Sequence, residues 1–561
     1  MNARTSVARE LADELYAYRR STEHIYALLS LDNERLGQWD DWSPEGIRQR
    51  LARLAGFVDR ADKALAIGAA AGDDRTLLEA VSFLARSEID LSRWVHELGW
   101  INPQIGLWST LHELLPRLAL VNVDDGERYL DKIANLAPFL DQWRGILESA
   151  AAEGRAAIAS HVDGAVAILD GLLADPRACP MATRTPPTDV EGAAVQDWQR
   201  RLGEVIDARV EPALRRMRES LGQIVRPVAR PDDRPGLCHL PGGVELYERL
   251  VRVGTTTDLT AAAVHRIGLE QVAIIEVELA AVAGPLVGTT DATSIYRILR
   301  DDASLRYTDP DQLVADAADA LARANQVADR WFARLPVAAC VATEVTTGAM
   351  AYYVPPAVDG SRSGLFCFNT SSIEGWPQFD LQSTVFHESV PGHHLQVALA
   401  LEDDVHPLLS FYFVAAYAEG WGLYAERLAD EMGLYSSPLD RVGMLSWQAF
   451  RACRLVVDTG LHALGWSRDE AISYLLDHSH VARDHAAAEV DRYIGIPGQA
   501  LSYLIGQLEI RRLRADAEQR LGSAFDIRAF HGTVLGAGSV PLSTLARIVD
   551  EWVIAELSGQ R

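Results

Sequence analysis

The chain has 561 residues, 48% of them hydrophobic and 23% charged, which is typical of a globular protein with a sizeable core. Its 53 Lys and Arg against 78 Asp and Glu give a formal net charge of −25. Because so acidic a chain repels phosphate backbones, we expect no nucleic-acid partner.

The spacing of the cysteines and the distribution of apolar residues indicate the cellular compartment of the protein. The five cysteines lie far apart with no CxxC pair, which argues against a disulfide framework and against a thiolate zinc site. Residues 1–20 contain no apolar stretch typical of a signal peptide, and no run of about 18 apolar residues occurs elsewhere. These features predict a cytoplasmic protein without a membrane partner.

The first part of the chain has the periodicity of amphipathic helices. Apolar side chains recur at three-, four- and seven-residue steps on one predicted helical face: Leu11, Leu15, Tyr18, Ile25 and Leu29. Ser43 followed by Pro44 has the pattern of an N-cap with proline at the first helical position.

Two proline-rich stretches, 176–188 and 226–241, interrupt this pattern and predict loops or linkers. The second is the better candidate boundary, and helices are expected to resume near Thr260. The sequence therefore predicts an N-terminal helical lobe over 1–225 and a C-terminal lobe over 226–561.

Residues 337–370 differ from the rest because β-branched, aromatic and small residues alternate with Pro355-Pro356 and Asp359-Gly360 turns. This composition predicts a small antiparallel sheet. After it the helical pattern returns, for instance at the capping box that begins with Ser467. The fold class expected overall is mainly α, with one small sheet.

One run after the predicted sheet carries metal-binding chemistry. It begins at His387-Glu388 and continues through Pro391-Gly392 to His393-His394. Zinc peptidases commonly place two histidines one helical turn apart, with a glutamate after the first acting as base. Here the second histidine follows after six residues, and on an unbroken helix it would point away from the first.

The Pro391-Gly392 pair is expected to interrupt the helix between the two histidines, because proline cannot continue the helix and glycine permits unusual backbone angles. A two-residue bulge would return His393 to the position of an i+4 histidine. His394 would need a larger bulge, so geometry favours His393 over His394.

A third ligand is available downstream. Glu419 follows the apolar run 408–417, read as a helix, so its carboxylate is expected to be buried and to need a cation or dense hydrogen bonding. Glu426 lies seven residues later on the same helical face. Both a supporting role at the site and a purely structural role stay open for it.

The motifs HESVPGHHLQ, YAEGWGLYAE, RLVVDTGLHALGW and EVDRYIGIPGQALSY resemble the bacterial family named domain of unknown function 885, over most of the chain. In that family the residue after PGH is His or Tyr, which supports His393 as the ligand. The family is similar to helical gluzincin peptidases of the thimet oligopeptidase, angiotensin-converting enzyme and Taq carboxypeptidase type. That kinship implies a two-lobed helical fold with a deep channel and a short sheet beside the active-site helix, although the Pro-Gly insertion departs from the gluzincin motif.

This reading implies a single Zn²⁺ held by His387, His393 and Glu419, with Glu388 as general base. Gluzincin peptidases stabilise the oxyanion with His and Tyr side chains from late helices, which favours Tyr503 and His462. Tyr493 and Arg492 in the late motifs are two further candidates for stabilising the oxyanion. Asp458, four residues before His462, is a candidate either to orient its imidazole or to form only a local cap or pair, and Arg492 suits either the oxyanion or a substrate carboxylate.

The function expected is a zinc metallopeptidase acting on short peptides, with an edge strand near residues 366–369 pairing with the substrate backbone. A metal-dependent amide or ester hydrolase, or a biosynthetic enzyme, acting on a small non-peptide molecule is the second hypothesis. A non-catalytic helical binding protein is the third, and an intact Glu388 counts against it because a structural zinc site has no use for a base.

Overall fold

A computed structural model describes residues 6–559, apart from 23–36, 69, 104–105, 110, 112–114, 116–117, 119, 190, 404 and 411. The predicted mainly helical class is confirmed. The α-helices of the described residues, numbered in chain order, are α1 Val7–Thr22, α2 Pro44–Ala66, α3 Gly72–Trp94, α4 Leu107–Ser109, α5 Val123–Ala152, α6 Ala159–Ala174, α7 Ala193–Val205, α8 Glu211–Ser220, α9 Gly243–Thr255, α10 Ala261–Val287, α11 Ala292–Asp301, α12 Pro310–Val327, α13 Leu381–Glu388, α14 His393–Glu402, α15 Pro407–Ser410, α16 Ala415–Glu431, α17 Pro438–His462, α18 Arg468–His478, α19 Arg483–Gly495, α20 Ser502–Leu521, α21 Ile527–Gly536 and α22 Leu542–Ser558. The strands are β1 Cys340–Val345, β2 Ala351–Val354 and β3 Gly364–Asn369.

The chain divides into two compact units. The first comprises Met1–Leu246 with Gly465–Arg468, and the second comprises Tyr247–Leu464 with Asp469–Arg561. The lobes predicted at 1–225 and 226–561 stay a prediction. Among the described helices no single one is long and apolar enough to cross a membrane, although α10 and α11, bent by 55°, pass that test as a pair.

The first unit is built around a cluster of large aromatic side chains beside α5. The Trp42 ring lies 4.5 Å from that of Trp100 and 5.0 Å from that of Phe139. Leu11 and Leu15 of the predicted helical face are buried in α1, whereas Ile25 and Leu29 lie outside the described residues.

Several helices begin where their capping residues predict. The Ser43 side chain accepts a hydrogen bond from the Gly46 amide, with Pro44 at the first position of α2, as expected. Thr260 caps α10 in the same way. Helices resume earlier than predicted, however, because α9 already occupies Gly243–Thr255, with its buried face on Leu246, Tyr247, Leu250 and Val251.

Close helix packing in the second unit depends on glycines. Gly420 of α16 faces Gly506 of α20, and a Cβ added at Gly420 would lie 2.5 Å from the Gly506 Cα. Gly268 of α10 lies equally close to α17, where an added Cβ would be 2.8 Å from Leu455 and Val456 side-chain atoms. These contacts fix α16 and α17, the two helices that carry most of the candidate site.

The small sheet is mixed, not antiparallel as predicted. Its order is β1-β3-β2, with β3 antiparallel to β2 and parallel to β1. The most apolar strand, with Phe366 and Phe368 fully buried, takes the central place between the two strands that precede it. Because the first and third strands run in the same direction, they become parallel neighbours.

The prediction of an edge strand near residues 366–369 is therefore wrong, since β3 is central and the edges are β1 and β2. The apolar run 408–417 is also not one helix. α15 ends at Ser410 and α16 begins at Ala415, so Glu419 lies in the second turn of α16.

Candidate metal centre

The helix that carries His387 stops directly after Glu388, and a new helix begins at His393. At Gly392 the backbone adopts φ −83° and ψ −129°, and a Cβ there would lie 1.9 Å from the His387 carbonyl oxygen. The Trp421 indole N–H donates to the Pro391 carbonyl at 3.0 Å and ties the break to α16. The Pro-Gly pair thus interrupts the helix where the sequence predicts.

This break brings the two imidazoles beside one carboxylate. The Nε2 atoms of His387 and His393 each lie 3.5 Å from Oε2 of Glu419, and the two ring centroids are 4.7 Å apart. One ligand atom from each residue lies within 4.8 Å of the others, and among the described residues these three form the one group that meets this test. Two imidazole nitrogens and a carboxylate oxygen are the donor set of a catalytic zinc site, so the residues present fit that ion.

Glu426 orients the first histidine. Its Oε1 lies 2.8 Å from Nδ1 of His387, and its Oε2 accepts from the Gln448 amide at 3.2 Å. Gln507 donates in turn to Gln448 and to the Leu423 carbonyl. An imidazole that donates through Nδ1 keeps its Nε2 for binding a metal ion, the arrangement that supports metal ligands in proteins.

The pKa values of His387 and Glu419 are shifted because these buried groups lie so close together. Burial alone would lower the pKa of His387, but Glu419 and Glu426 outweigh it and raise that pKa to about 10. Burial would likewise raise the pKa of Glu419, but His387 and His393 hold it well below its usual range. Without a metal the cluster therefore balances an ionised carboxylate with protonated imidazole, a positive charge that a divalent cation would replace.

Close approach of α16 leaves no room beside the first ligand. A Cβ added at Gly422 would lie 2.7 Å from Cε1 and 2.8 Å from Nε2 of His387. Gly422, the second glycine of the Glu-Gly-Trp-Gly run, is thus needed because the His387 imidazole packs directly on the helix backbone.

Glu388 is half-buried and lines a cavity of about 250 Å³ together with His387. Trp447, Arg451 and Arg454 of α17 also line this cavity, and Ala351 of the edge strand β2 borders it. The candidate base, a candidate ligand and a strand edge therefore share one small cavity.

His394 occupies a different environment from His393. Its Nε2 lies 2.9 Å from the Ala338 carbonyl and its Nδ1 lies 3.0 Å from the Tyr353 hydroxyl. Both ring nitrogens are therefore engaged with the sheet segment, and burial lowers the pKa of this imidazole. The geometry favours His393 as the second ligand, in line with the bulge argument.

Tyr503 is the late candidate whose pKa responds to the Glu419 carboxylate. Burial raises the pKa of its hydroxyl, and the nearby Glu419 carboxylate raises it further. Arg454 lies 4.6 Å from its ring centroid. Among the described residues the Tyr503 hydroxyl has no hydrogen-bond partner, so it is available to donate to a ligand.

The structure gives the other late candidates partners of their own. His462 is fully buried with Nε2 3.1 Å from the Tyr493 carbonyl, and the Tyr493 hydroxyl donates to Glu489 at 2.7 Å. Arg492 donates to Glu489 and Gln499.

Asp458 accepts hydrogen bonds from the Tyr247 hydroxyl and the Gly498 amide. Those contacts give its carboxylate a structural position. Neither partner is the His462 imidazole that Asp458 was a candidate to orient.

Sequence reasoning did not single out Trp447, Arg451 and Arg454. The three lie at positions i, i+4 and i+7 of α17, hence on one helical face, and all border the cavity. The available signal is the pair Arg451 and Arg454 within the largely apolar stretch 442–457 of this helix.

The chain belongs to the bacterial family of proteins of unknown function named DUF885, whose model matches residues 28–549. No curated protein matches the chain.

Two solved structures have a similar fold. The chain resembles a protein of Colwellia psychrerythraea solved as a "putative lipoprotein", with a TM-score of 0.85 and 24% identity over 98% of this chain and 99% of that one. It also resembles a "putative lipoprotein of unknown function" of Shewanella oneidensis, with a TM-score of 0.77 and 18% identity over 97% of this chain and all of that one. At these identities the likeness shows the fold alone, and the cytoplasmic location stays a prediction.

Proposed function

We propose that the protein is a zinc-dependent hydrolase, and specifically a metallopeptidase that cleaves short peptides. The observation that carries the proposal is the convergence of His387, His393 and Glu419 within 4.8 Å, with Glu388 bordering the adjoining cavity. Similarity of this motif to the helical gluzincins supports the same class.

Zinc at this position would polarise the substrate carbonyl and lower the pKa of a water molecule. Glu388 takes the proton of the attacking water and delivers it to the leaving amine. The Tyr503 hydroxyl, which has no other acceptor among the described residues, donates to the oxyanion of the tetrahedral intermediate.

Strand β2 offers a backbone template for the substrate. The Asn369 amide donates to the Met350 carbonyl at 2.8 Å, and Ala351 pairs with Phe368 in the antiparallel register. Because hydrogen-bonded and non-hydrogen-bonded positions alternate, the N–H and C=O of Ala351 point away from β3. An extended peptide adding to this edge would hydrogen-bond to Ala351 at the border of the cavity.

The first test is the zinc content of purified protein after loading and dialysis. We expect one zinc per chain in the wild type, retention in His394→Ala, and loss in His393→Ala, because His393 lies beside Glu419 whereas His394 contacts the sheet segment. Absence of stoichiometric metal from the wild type would reject the hydrolase proposal.

The second test is digestion of a random peptide pool by the zinc-loaded wild type and by Glu388→Gln. Loss of a positioned general base lowers the rate by about 10²–10⁴-fold while zinc is retained. Equal products from both proteins would reject Glu388 as the base.

The second candidate function is a metal-dependent amide or ester hydrolase, or a biosynthetic enzyme, acting on a small non-peptide molecule. The cavity of about 250 Å³ favours it, since that volume lies below the range usual for ligand pockets. A zinc-loaded wild type that consumes no peptide of the pool but hydrolyses small N-acyl amides would decide for this candidate. A zinc-loaded protein inactive on both would leave the non-catalytic binding protein.

A further inference from the structure

One face of α17 presents buried nitrogen donors to the cavity. Trp447, Arg451 and Arg454 follow each other at four and three residues, so their side chains leave the helix in the same direction. All three border the cavity that also contains His387 and Glu388.

Four donor atoms on this face are buried and have no hydrogen-bond acceptor among the described residues. They are Nε and Nη1 of Arg451, Nη1 of Arg454 and Nε1 of Trp447. A buried donor without an acceptor costs free energy, and a buried unpaired cation costs more. An acceptor that is absent from the chain itself is therefore expected here.

Arg451 differs from the arginines around it. Arg454 donates to Glu489 and to the Tyr493 hydroxyl, and Arg492 is held by the same carboxylate. Arg451 forms no ion pair within the described residues, and its guanidinium lies over the Trp447 ring, 4.3 Å from the centroid. Burial and the neighbouring Arg454 lower its pKa, so an anion beside it would relieve both penalties.

We propose that Arg451, together with Arg454 and Trp447, binds a carboxylate of the substrate, so that the site acts on short anionic peptides. This inference rests on the proposed function and specifies its substrate class. A planar guanidinium matches a carboxylate with two parallel N–H donors, and the indole N–H adds a third. Because this face and Glu388 border one cavity of about 250 Å³, the carboxylate and the scissile bond belong to neighbouring positions of the substrate.

The carboxylate has two possible sources, the C-terminus of a peptide or an acidic side chain. An N-acetylated random tripeptide pool is therefore made once with a free C-terminal carboxylate and once as the amide. We expect the wild type to consume the free acids about 10- to 100-fold faster, the factor lost with a hydrogen bond to a charged group. Consumption of the amide pool restricted to peptides with Asp or Glu would identify the side chain as the source.

Arg451→Met should remove this preference, lowering turnover of the anionic peptides by about 10- to 100-fold relative to that of neutral peptides. Arg451→Lys keeps the charge but not the planar fork and should restore only part of it. Arg512→Met is the matched control, because Arg512 is an exposed arginine on α20 paired with Glu509. Equal turnover of both pools by the wild type without any preference for peptides that contain Asp or Glu, or a preference that survives in Arg451→Met, would overturn the proposal.

Stability separates a binding role from a structural one. Since Arg451 has no carboxylate partner in the part of the chain that the structure describes, Arg451→Met should leave the unfolding midpoint of the ligand-free protein unchanged or higher. A lower midpoint would assign Arg451 a structural role and contradict the proposal.

Carboxylate binding can be measured without catalysis, which distinguishes a failure of the carboxylate site from a failure of the proposed function. Succinate is expected to raise the unfolding midpoint of the wild type by about 1–2 °C, succinamide not at all, and Arg451→Met should lose the response. If no peptide is consumed but this response appears, the peptidase proposal fails and the carboxylate site stands. Equal responses of wild type and Arg451→Met, or none, would reject the site.

Discussion

Replacing Glu426 should weaken zinc binding although Glu426 is not itself a ligand. Its Oε1 lies 2.8 Å from Nδ1 of His387, its side chain is 2% exposed, and Gln448 donates to its other oxygen. Loss of such a support typically costs 10–100-fold in metal affinity, which corresponds to about 1.4–2.7 kcal/mol.

The two obvious variants are expected to differ. Glu426→Gln keeps an amide oxygen that accepts from the His387 imidazole, so its loss should lie near about tenfold. Glu426→Ala removes the acceptor of the His387 N–H and one of the two acceptors of the Gln448 amide, which keeps the Leu423 carbonyl, so its loss should lie near about 100-fold.

The assay is competition for zinc against a chromophoric chelator, which yields Kd for each variant. Glu431→Gln is the control, because Glu431 lies on the same helix but is 45% exposed and pairs with Arg514. If Glu426→Ala and Glu431→Gln both bind zinc as the wild type does, then Glu426 does not orient a ligand and the reasoning is refuted.

Three further outcomes are expected. Gly422→Ala should reduce zinc affinity by at least about tenfold in the same competition assay, because the new methyl group displaces the His387 ring; unchanged affinity would contradict the packing argument. Tyr503→Phe should lower kcat by about 10²–10³-fold with little change in zinc content, and an unchanged kcat would remove the hydroxyl from oxyanion stabilisation. Burial, partly offset by Tyr247 and Gly498, raises the pKa of Asp458 to about 7 from about 3.9 in the unfolded chain. The contribution of Asp458 to stability is thus full below about pH 4 and is lost as the pH rises to about 7. The free energy of unfolding, measured with urea at about pH 5 and about pH 8, should therefore decline less in Asp458→Asn than in the wild type.

The local part of the site could be predicted from the sequence. Proline and glycine act on the backbone where they stand, so the break between Glu388 and His393 follows from Pro391 and Gly392 alone. The start of α2 at Ser43-Pro44 is predictable for the same reason, because capping involves neighbours within one turn.

Features that depend on distant parts of the chain could not be predicted. The central place of β3 is set by which face of the strand is buried, and the sequence of a strand does not state its neighbours. Glu426 was equally compatible with a structural role, since only the fold brings it to His387. The role of Arg451 and Arg454 likewise could not be inferred from the sequence. It depends on their position at the cavity and on Arg451 having no carboxylate partner among the described residues.

The central claim is that His387, His393 and Glu419 form a metal centre. The most direct measurement is an anomalous difference map, collected at the zinc edge from a crystal of the zinc-loaded protein. We expect one peak about 2.0–2.2 Å from Nε2 of His387, Nε2 of His393 and a carboxylate oxygen of Glu419. No peak between these atoms, or a peak coordinated by His394, would contradict the account.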